Sequence, residues 1–424
     1  MRTTNTMIIG GGQAGLALSH CLTTLGRDHL VLERGRVAER WRSARWDSLR
    51  LLTPNWMTRL PGYSYDGPDQ DGFMTAGEVV GFFEDYAESF DAPVRDSTAV
   101  RRVAPCGDLF VIETDDGPFL ARNVVIATGW CDQDAVPAMA TNISSRINQV
   151  VPSRYRNPDD LPAGGVLVVG ASATGVQLAQ ELHLSGRPVT LAIGTHSRMP
   201  RTYRGMDSYW WLELLGALDR TIDDVGDPLA ARREPSLQLV GSPEGSTLDL
   251  ATLQTIGVRL VGRLQAIDGG RATFAPNLNA IVADTDRRMH RVLDRVDDAV
   301  ERLSLSAEML APDRPGRVAP VSPIASLDLH AAGITSVVWA TGYRRRYDWI
   351  ELPILDQHGE IVQYRGVTPT PGVYVLGQRF QHYRSSNFID GVGRDALAVA
   401  EHITATPARR ELLASASTSN SRHT

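Results

Sequence analysis

The stretch Thr6-Met7-Ile8-Ile9-Gly10-Gly11-Gly12-Gln13-Ala14-Gly15, followed by Leu16 to Leu25 and then His29-Leu30-Val31-Leu32-Glu33, decides the fold. It reads as a short apolar strand, a glycine-rich turn, a helix stopped by Gly26, and a second strand with an acidic residue at its end. Gly10 is expected to make the tight turn, Gly12 to let the backbone approach a pyrophosphate, and Gly15 to allow close helix–strand packing. The helix N-terminus at Gln13 and Ala14 then faces the phosphates, and Glu33, followed by Arg34, meets the ribose hydroxyls. A glycine turn alone is weak evidence. Strand, helix and carboxylate in these positions make it a dinucleotide site.

The pattern recurs further along the chain. Val166-Leu167-Val168-Val169 reads as a buried strand, Gly170-Ala171-Ser172-Ala173-Thr174-Gly175 as the turn, Val176 to Leu184 as the helix, and Pro188 to Ile193 as the second strand. Ser172 replaces the middle glycine with another small residue. A hydrolase elbow is excluded, because Thr174 stands where its last glycine belongs. No acidic residue ends the second strand. Thr195, His196, Ser197, Arg198 and Arg201 follow instead, and hydroxyls and guanidinium groups suit a 2′-phosphate, so Arg198 and Arg201 are expected to select NADPH over NADH.

Composition narrows the chemistry. All 43 basic residues of the 424-residue chain are arginine. That excludes a P-loop lysine, a Schiff-base lysine and a lysine general base. A hydrophobic share of 42% and a charged share of 22% are globular values, and a chain of this length supports two or three domains. The net charge of −6 speaks against nucleic acid as a partner. No apolar run reaches membrane-spanning length, and Met7-Ile8-Ile9 is too short for a signal peptide. Cys21, Cys106 and Cys131 form no paired framework, which points to a reducing cytoplasm, and the histidines show no metal-ligand spacing. No CxxC or CxxxxC dithiol is present.

Two further segments, Val124-Val125-Ile126-Ala127-Thr128-Gly129 and Val337-Val338-Trp339-Ala340-Thr341-Gly342, are buried strands ending in Ala-Thr-Gly, and they flank the second nucleotide motif. With both motifs, the chain from Met7 to about Ile403 resembles the flavin-containing monooxygenase-like group of two-dinucleotide-binding flavoproteins, which includes bacterial relatives labelled flavoproteins of potassium transport. The resemblance implies an α/β fold of two Rossmann-like domains. An FAD domain of residues 1–160 and 336–424 would hold an inserted NADPH domain of residues 161–335, with Pro152, Pro158 and Pro162 at the first crossing and the run from Pro312 to Pro323 before the second. It also implies that the Ala-Thr-Gly strands are the crossings, that Trp41 lies beside the flavin, and that Gly377 and Asn387 belong to a segment closing over the ring. Asn55 falls where relatives carry an asparagine facing the flavin C4a edge; a turn asparagine after Pro54 is the alternative.

The implied activity is NADPH-dependent FAD monooxygenation of a small nitrogen- or sulfur-containing substrate by molecular oxygen, through a C4a-(hydro)peroxyflavin. An NADPH oxidase without oxygenation and a redox-sensing flavoprotein linked to transport are the alternatives. One departure bears on this choice. The group's Phe-x-Gly-x-x-x-His-x-x-x-aromatic segment, aligned on Tyr155, has Ser145, Ile147 and Val151 in place of Phe, Gly and His. The remaining expectations are structural. Tyr209-Trp210-Trp211 begins a helix of mainly core residues, and an amphipathic helix runs from about Thr285 to Leu303. A homodimer is the default assembly, and the last ten residues of the tail are expected to be disordered.

Overall fold

The computed structural model describes residues 2–405. The tail expected to be disordered lies outside them. In chain order the first elements are β1 (Arg2–Ile9), α1 (Gln13–Thr24), β2 (His29–Leu32), α2 (Ala76–Glu88), β3 (Val94–Arg95), β4 (Val100–Cys106), β5 (Leu109–Thr114), β6 (Gly117–Ile126) and β7 (Gln133–Asp134). Then come β8 (Asn148–Val150), β9 (Gly165–Val169), α3 (Ala173–Leu184), β10 (Val189–Ala192), α4 (Ser208–Leu214), α5 (Leu250–Ile256), β11 (Arg259–Val261), β12 (Leu264–Asp268), β13 (Arg271–Phe274) and α6 (Leu278–Arg302). The chain ends with β14 (Ser326–Asp328), β15 (Ile334–Trp339), β16 (Tyr343–Arg344), β17 (Val373–Val375) and α7 (Val392–Ala405).

Two sheets carry the molecule. The first has seven strands in the order β3-β2-β1-β6-β5-β4, with β17 also pairing β6. Its centre is parallel, with Ile9 opposite Leu32 on one side and Ile126 on the other. The second is the fully parallel set β8-β15-β9-β10-β11. Parallel strands covered on both faces read as unbroken apolar runs, and the packing shows why. Met7, Ile9, Val124 and Ile126 face a core completed by Tyr347, Ile350 and Ile354, whereas Ile8, Val31 and Val125 face α1, α2 and α7. In the second sheet Val166, Val168 and Leu191 meet α3 and α5, while Leu167, Val169 and Trp339 meet the small sheet β12-β13-β14. The structure is thus α/β with two Rossmann-like layers.

Sheet membership divides the chain slightly differently from the expected boundaries at 160 and 335. Strand β8, at 148–150, already belongs to the second sheet, and β15 runs through 335 to Trp339. The chain passes between the sheets through β7 and β16, which pair antiparallel, Asp134 with Tyr343 and Gln133 with Arg344. Ile147 and Val151, standing where the monooxygenase segment has glycine and histidine, pack into the second sheet's core. Those positions are used for packing here.

The amphipathic helix begins at Leu278 rather than Thr285. Its first apolar residues, Leu278 and Val282, serve the second sheet's core, while Met289, Leu293, Val296 and Val300 join a separate cluster with Trp211 and Tyr203. Polar residues lie between the two stripes, so sequence periodicity catches only the second. Trp211 is fully buried and its Nε1–H donates to the Tyr203 carbonyl at 2.7 Å, so it is a core residue, as expected for this helix.

Candidate functional site

The two glycine turns have the same geometry. Gly10, at φ +116°, abuts the end of β6 so closely that a Cβ would stand 2.5 Å from the Ala127 carbonyl oxygen. Gly15 faces back across the turn, and its Cβ would lie 1.9 Å from the Gly10 oxygen. In the second turn Gly170, at φ +108°, would place a Cβ 2.3 Å from the Ala340 oxygen, and Gly175 one 1.9 Å from the Gly170 oxygen. The alanine of each Ala-Thr-Gly segment is therefore the seat of a nucleotide turn. The glycine after each seat also has positive φ, +73° at Gly129 and +89° at Gly342. Thr341 locks the second seat by donating from Oγ1 to the Ala135 carbonyl at 2.7 Å.

Each turn leaves its helix N-terminus open. Gly12 and Ser172 are the extended N-cap residues of α1 and α3, and neither supplies a side-chain cap. Nothing lies within 4 Å of where a Cβ on Gly12 would stand. Exposed N–H groups beside open space are a fit for a pyrophosphate. Glu33 holds the first turn in shape. Its Oε2 accepts from the Gly11 N–H at 2.7 Å and its Oε1 from the Gly35 N–H at 2.9 Å. A carboxylate oxygen keeps a further lone pair in each case, which leaves room for ribose hydroxyls.

A cavity of about 840 Å³ opens between the sheets, within the range of small-molecule and cofactor sites. From the first half of the chain Gly10, Gly12, Gln13, Ala14, Glu33, Arg34, Trp41, Ala127, Thr128 and Gly129 line it, with Gly377 and Asn387 from the C-terminal part. Gln13 donates to the Asn387 carbonyl at 2.7 Å, tying the start of α1 to the C-terminal loop. The second turn reaches the same cavity through Ala173, Thr174 and Gln177. Gly15, Gly170, Ser172, Gly175, Ala340, Thr341 and Gly342 stand behind the wall as supports.

The wall is positively charged in a way the motifs do not announce. Arg40 donates to the Cys131 carbonyl, Arg45 to that of Ala44 at 3.0 Å, and Arg379 to that of Glu234. Among the described residues no carboxylate pairs with these three guanidinium groups. Arg45 stacks over Trp41 at 5.0 Å and Arg379 over Trp130 at 4.9 Å. The nearby acids are already engaged, Asp132 with Arg34 and Glu234 with Arg384. Uncompensated guanidinium groups facing a cavity suit anionic phosphates. Cys131 lies among them, yet burial pushes its thiol up, so it is held neutral rather than as a nucleophilic thiolate.

Three expected site residues are placed elsewhere. Arg198 is 4% exposed and bridges Asp249 at 2.8 Å and Asp286 at 2.7 Å, so its charge is spent inside the second sheet's helices and not on a 2′-phosphate. Arg201 is 1% exposed, pairs with Asp207 at 2.5 Å, donates to the Leu52 carbonyl and lies over Phe73. Asn55 is buried outside the cavity wall, and both ends of its amide serve the backbone, Nδ2 donating to the Asp69 carbonyl and Oδ1 accepting from the Met74 N–H, each at 2.9 Å. It is the turn asparagine of the alternative reading. Replacing Asn55 with alanine should therefore cost about 1–3 kcal/mol in denaturant unfolding, chiefly by leaving the buried Met74 N–H unpaired. The flavin spectrum and reoxidation rate of the folded protein should not change; a tenfold change in reoxidation would restore Asn55 to the reaction.

A second expected outcome comes from Asp395, in the first turn of α7 beneath the Asn387 loop. It is 2% exposed, its Oδ2 has no partner, and burial pushes its carboxyl up to about 6. Between pH 4 and 6 the folded state retains a proton that the unfolded chain has released, so stability falls as pH rises through that window. Asp395→Asn should be more stable than the parent by about 2–3 kcal/mol at pH 8, with the gain vanishing near pH 4. A gain equal at both pH values would show that the carboxyl is not the cause.

Comparison with known proteins agrees with this geometry. Residues 7–212 match the family model described as pyridine nucleotide-disulphide oxidoreductase. Over 394 residues, 92% of this chain and 95% of the relative, the sequence is 30% identical to an uncharacterized CzcO-like oxidoreductase of Geobacillus kaustophilus. The chain belongs to the CzcO-like oxidoreductases. The fold of this family is seen in a flavin-containing monooxygenase from Stenotrophomonas maltophilia, which is 19% identical, with a TM-score of 0.65 covering 96% of this chain and 99% of that one. The sequence is also similar to the probable indole-3-pyruvate monooxygenase YUCCA1 of Arabidopsis thaliana, 28% identical over 210 residues, 48% of this chain and 50% of that one.

Sequence reading missed wall residues contributed by loops and by the first residues of short strands. Thr98 to Arg101, Glu234 to Leu237, Arg379 and Arg384 all line the cavity without a periodic or spaced signal. Only Arg379 had a usable clue, its place two residues after Gly377.

Proposed function

We propose that this oxidoreductase is an NADPH-dependent FAD monooxygenase acting on a small substrate with a nucleophilic nitrogen or sulfur. The observation that carries the reading is the pair of matching glycine turns, each seated on an Ala-Thr-Gly segment and both reaching one cavity. FAD would be held by Gly10, Gly12, Gln13, Ala14, Glu33, Arg34, Trp41, Ala127, Thr128, Gly129, Gly377 and Asn387, in a domain of about residues 1–160 and 336–424. NADPH would be held by Gly170, Ser172, Thr174 and Gly175 in the intervening residues 161–335. When bound, the flavin supplies hydride acceptance and oxygen activation. The chain's own part is to hold phosphates on the helix N-termini and guanidinium groups, place the substrate against the ring, and exclude water with aromatic walls. The likeness to monooxygenases in sequence and fold supports this reading, as does a neutral Cys131 that offers no rival nucleophile.

A second reading, an NADPH oxidase without oxygenation, is favoured by one observation. Val151, where related monooxygenases have histidine, packs half-buried against the second sheet's core. Rapid mixing of the NADPH-reduced holoprotein with oxygen separates the two. A transient flavin absorbance distinct from both oxidised and reduced forms supports oxygenation. Direct return to oxidised flavin with stoichiometric peroxide release sinks it.

No helix among the described residues is long and apolar enough to cross a membrane. The three free cysteines support a reducing, cytoplasmic setting. The proposed partners are the substrate and molecular oxygen, with a homodimer as the default assembly.

A further inference from the structure

With the buried Arg198 and Arg201 committed to carboxylates, the NADPH reading lacks a group to meet the 2′-phosphate, and the second sheet supplies another. In a Rossmann unit the adenosine ribose lies over the end of the second strand, where an acidic residue selects an unmodified ribose and a cation accommodates a phosphorylated one. Here that strand is β10, and it continues as Ile193-Gly194-Thr195, with no carboxylate. The next strand, β11, runs beside it in parallel register, Ala192 opposite Val261, and Ile193 donates to the Val261 carbonyl at 3.1 Å. Two residues beyond β11, Arg263 turns back over the end of β10. Its guanidinium lies 3.6–3.9 Å from where a Cβ on Gly194 would stand, and its Nη2 donates to Thr195 Oγ1 at 3.0 Å. The side chain is exposed, and among the described residues no carboxylate pairs with it. The other cations nearby are engaged: Arg288 pairs with Asp284 at 3.2 Å and donates to the His196 carbonyl. His196 is 1% exposed, with its pKa lowered by burial, and supplies no charge.

We propose that Arg263, from the strand adjacent to the usual position, is the residue that selects a 2′-phosphorylated coenzyme, with the Thr195 hydroxyl as its partner. Glycine at 194 leaves the space into which the phosphate and guanidinium meet. The inference rests on the NADPH reading above.

The test is calorimetric titration of the FAD-loaded protein with adenosine 2′,5′-bisphosphate and with adenosine 5′-monophosphate. The parent is expected to bind the bisphosphate roughly ten- to hundredfold more tightly, the range of a charge-assisted hydrogen bond to an ionised group. Arg263→Ala should bring the bisphosphate down to the monophosphate's affinity and leave the monophosphate unchanged, which also reports that the fold is intact. Thr195→Val should lower the bisphosphate preference by a smaller factor. If Arg263→Ala keeps the full preference, the assignment fails while the NADPH reading stands. If the parent binds both nucleotides equally, the 2′-phosphate reading and this assignment fail together.

Discussion

Gly15→Ala is expected to yield a chain that neither retains flavin nor folds to the parent's stability. A methyl at that position would stand 1.9 Å from the Gly10 carbonyl oxygen and 3.4 Å from Ile8 Cγ2, so backbone must move. Overpacking a core side chain costs about 1–3 kcal/mol; displacing a turn wedged between β1, β6 and α1 should cost about 3 kcal/mol or more. Gly12→Ala is the informative partner. Gly12 has φ −95° and ψ −171°, ordinary extended backbone, and an added Cβ meets nothing within 4 Å. Its apoprotein should unfold within about 0.5 kcal/mol of the parent. Flavin should nevertheless be held at least about tenfold more weakly, because the methyl occupies the space left for close approach. Denaturant unfolding of the apoproteins and flavin titration read the two effects separately. Normal flavin affinity in Gly12→Ala would show that the pyrophosphate is not bound at this turn.

Arg198→Met should be as damaging to stability and silent on coenzyme choice. The guanidinium joins Asp249, which caps α5 by accepting from the Thr252 N–H, to Asp286 on α6, and it also donates to the Gly316 carbonyl at 2.8 Å. Removing it strands two buried carboxylates. Losing one partner of a buried ion pair costs about 3–5 kcal/mol. Unfolding midpoints should fall accordingly, while the ratio of KM values for NADPH and NADH in the folded fraction should stay within about twofold. A shift of tenfold or more in that ratio would return Arg198 to the coenzyme site.

The same residue shows where sequence reading succeeds and where it stops. The two strand–turn–helix units were legible because their requirements are local: a glycine that must take positive φ, another that must admit a carbonyl, and apolar strands buried on both faces. The paired Ala-Thr-Gly strands were legible as a repeat, but their physical purpose was not, since the contact of Ala127 with Gly10 joins residues more than a hundred positions apart. Arg198 stood at a plausible distance from β10, and only tertiary structure reveals that Asp249 and Asp286 converge on it. Arg263 was invisible for the converse reason: it reaches the end of β10 from a neighbouring strand that sequence order places far downstream. Asn55 left two readings open, a reacting amide from family position and a turn asparagine from its place after Pro54. Its hydrogen bonds to Asp69 and Met74 make it a loop clasp.

The small antiparallel pair between β7 and β16 has a consequence for how such a chain can change over evolution or by engineering. Because Asp134 faces Tyr343, the two ends of everything between them emerge side by side, a hydrogen-bonded step apart. Residues 135–342 thus enter and leave through one adjacent pair of strands, while their side chains dock on the rest of the chain through contacts such as Arg201 with the Leu52 carbonyl and Arg394 with Asp219. The pairing of β1 with β2 and of β6 with β1 and β17 involves no strand of that segment, so a replacement segment would need ends that meet at the same spacing and a face that rebuilds the docking contacts. A protein wired in this way can trade one electron donor for another without rebuilding the fold that holds its first nucleotide.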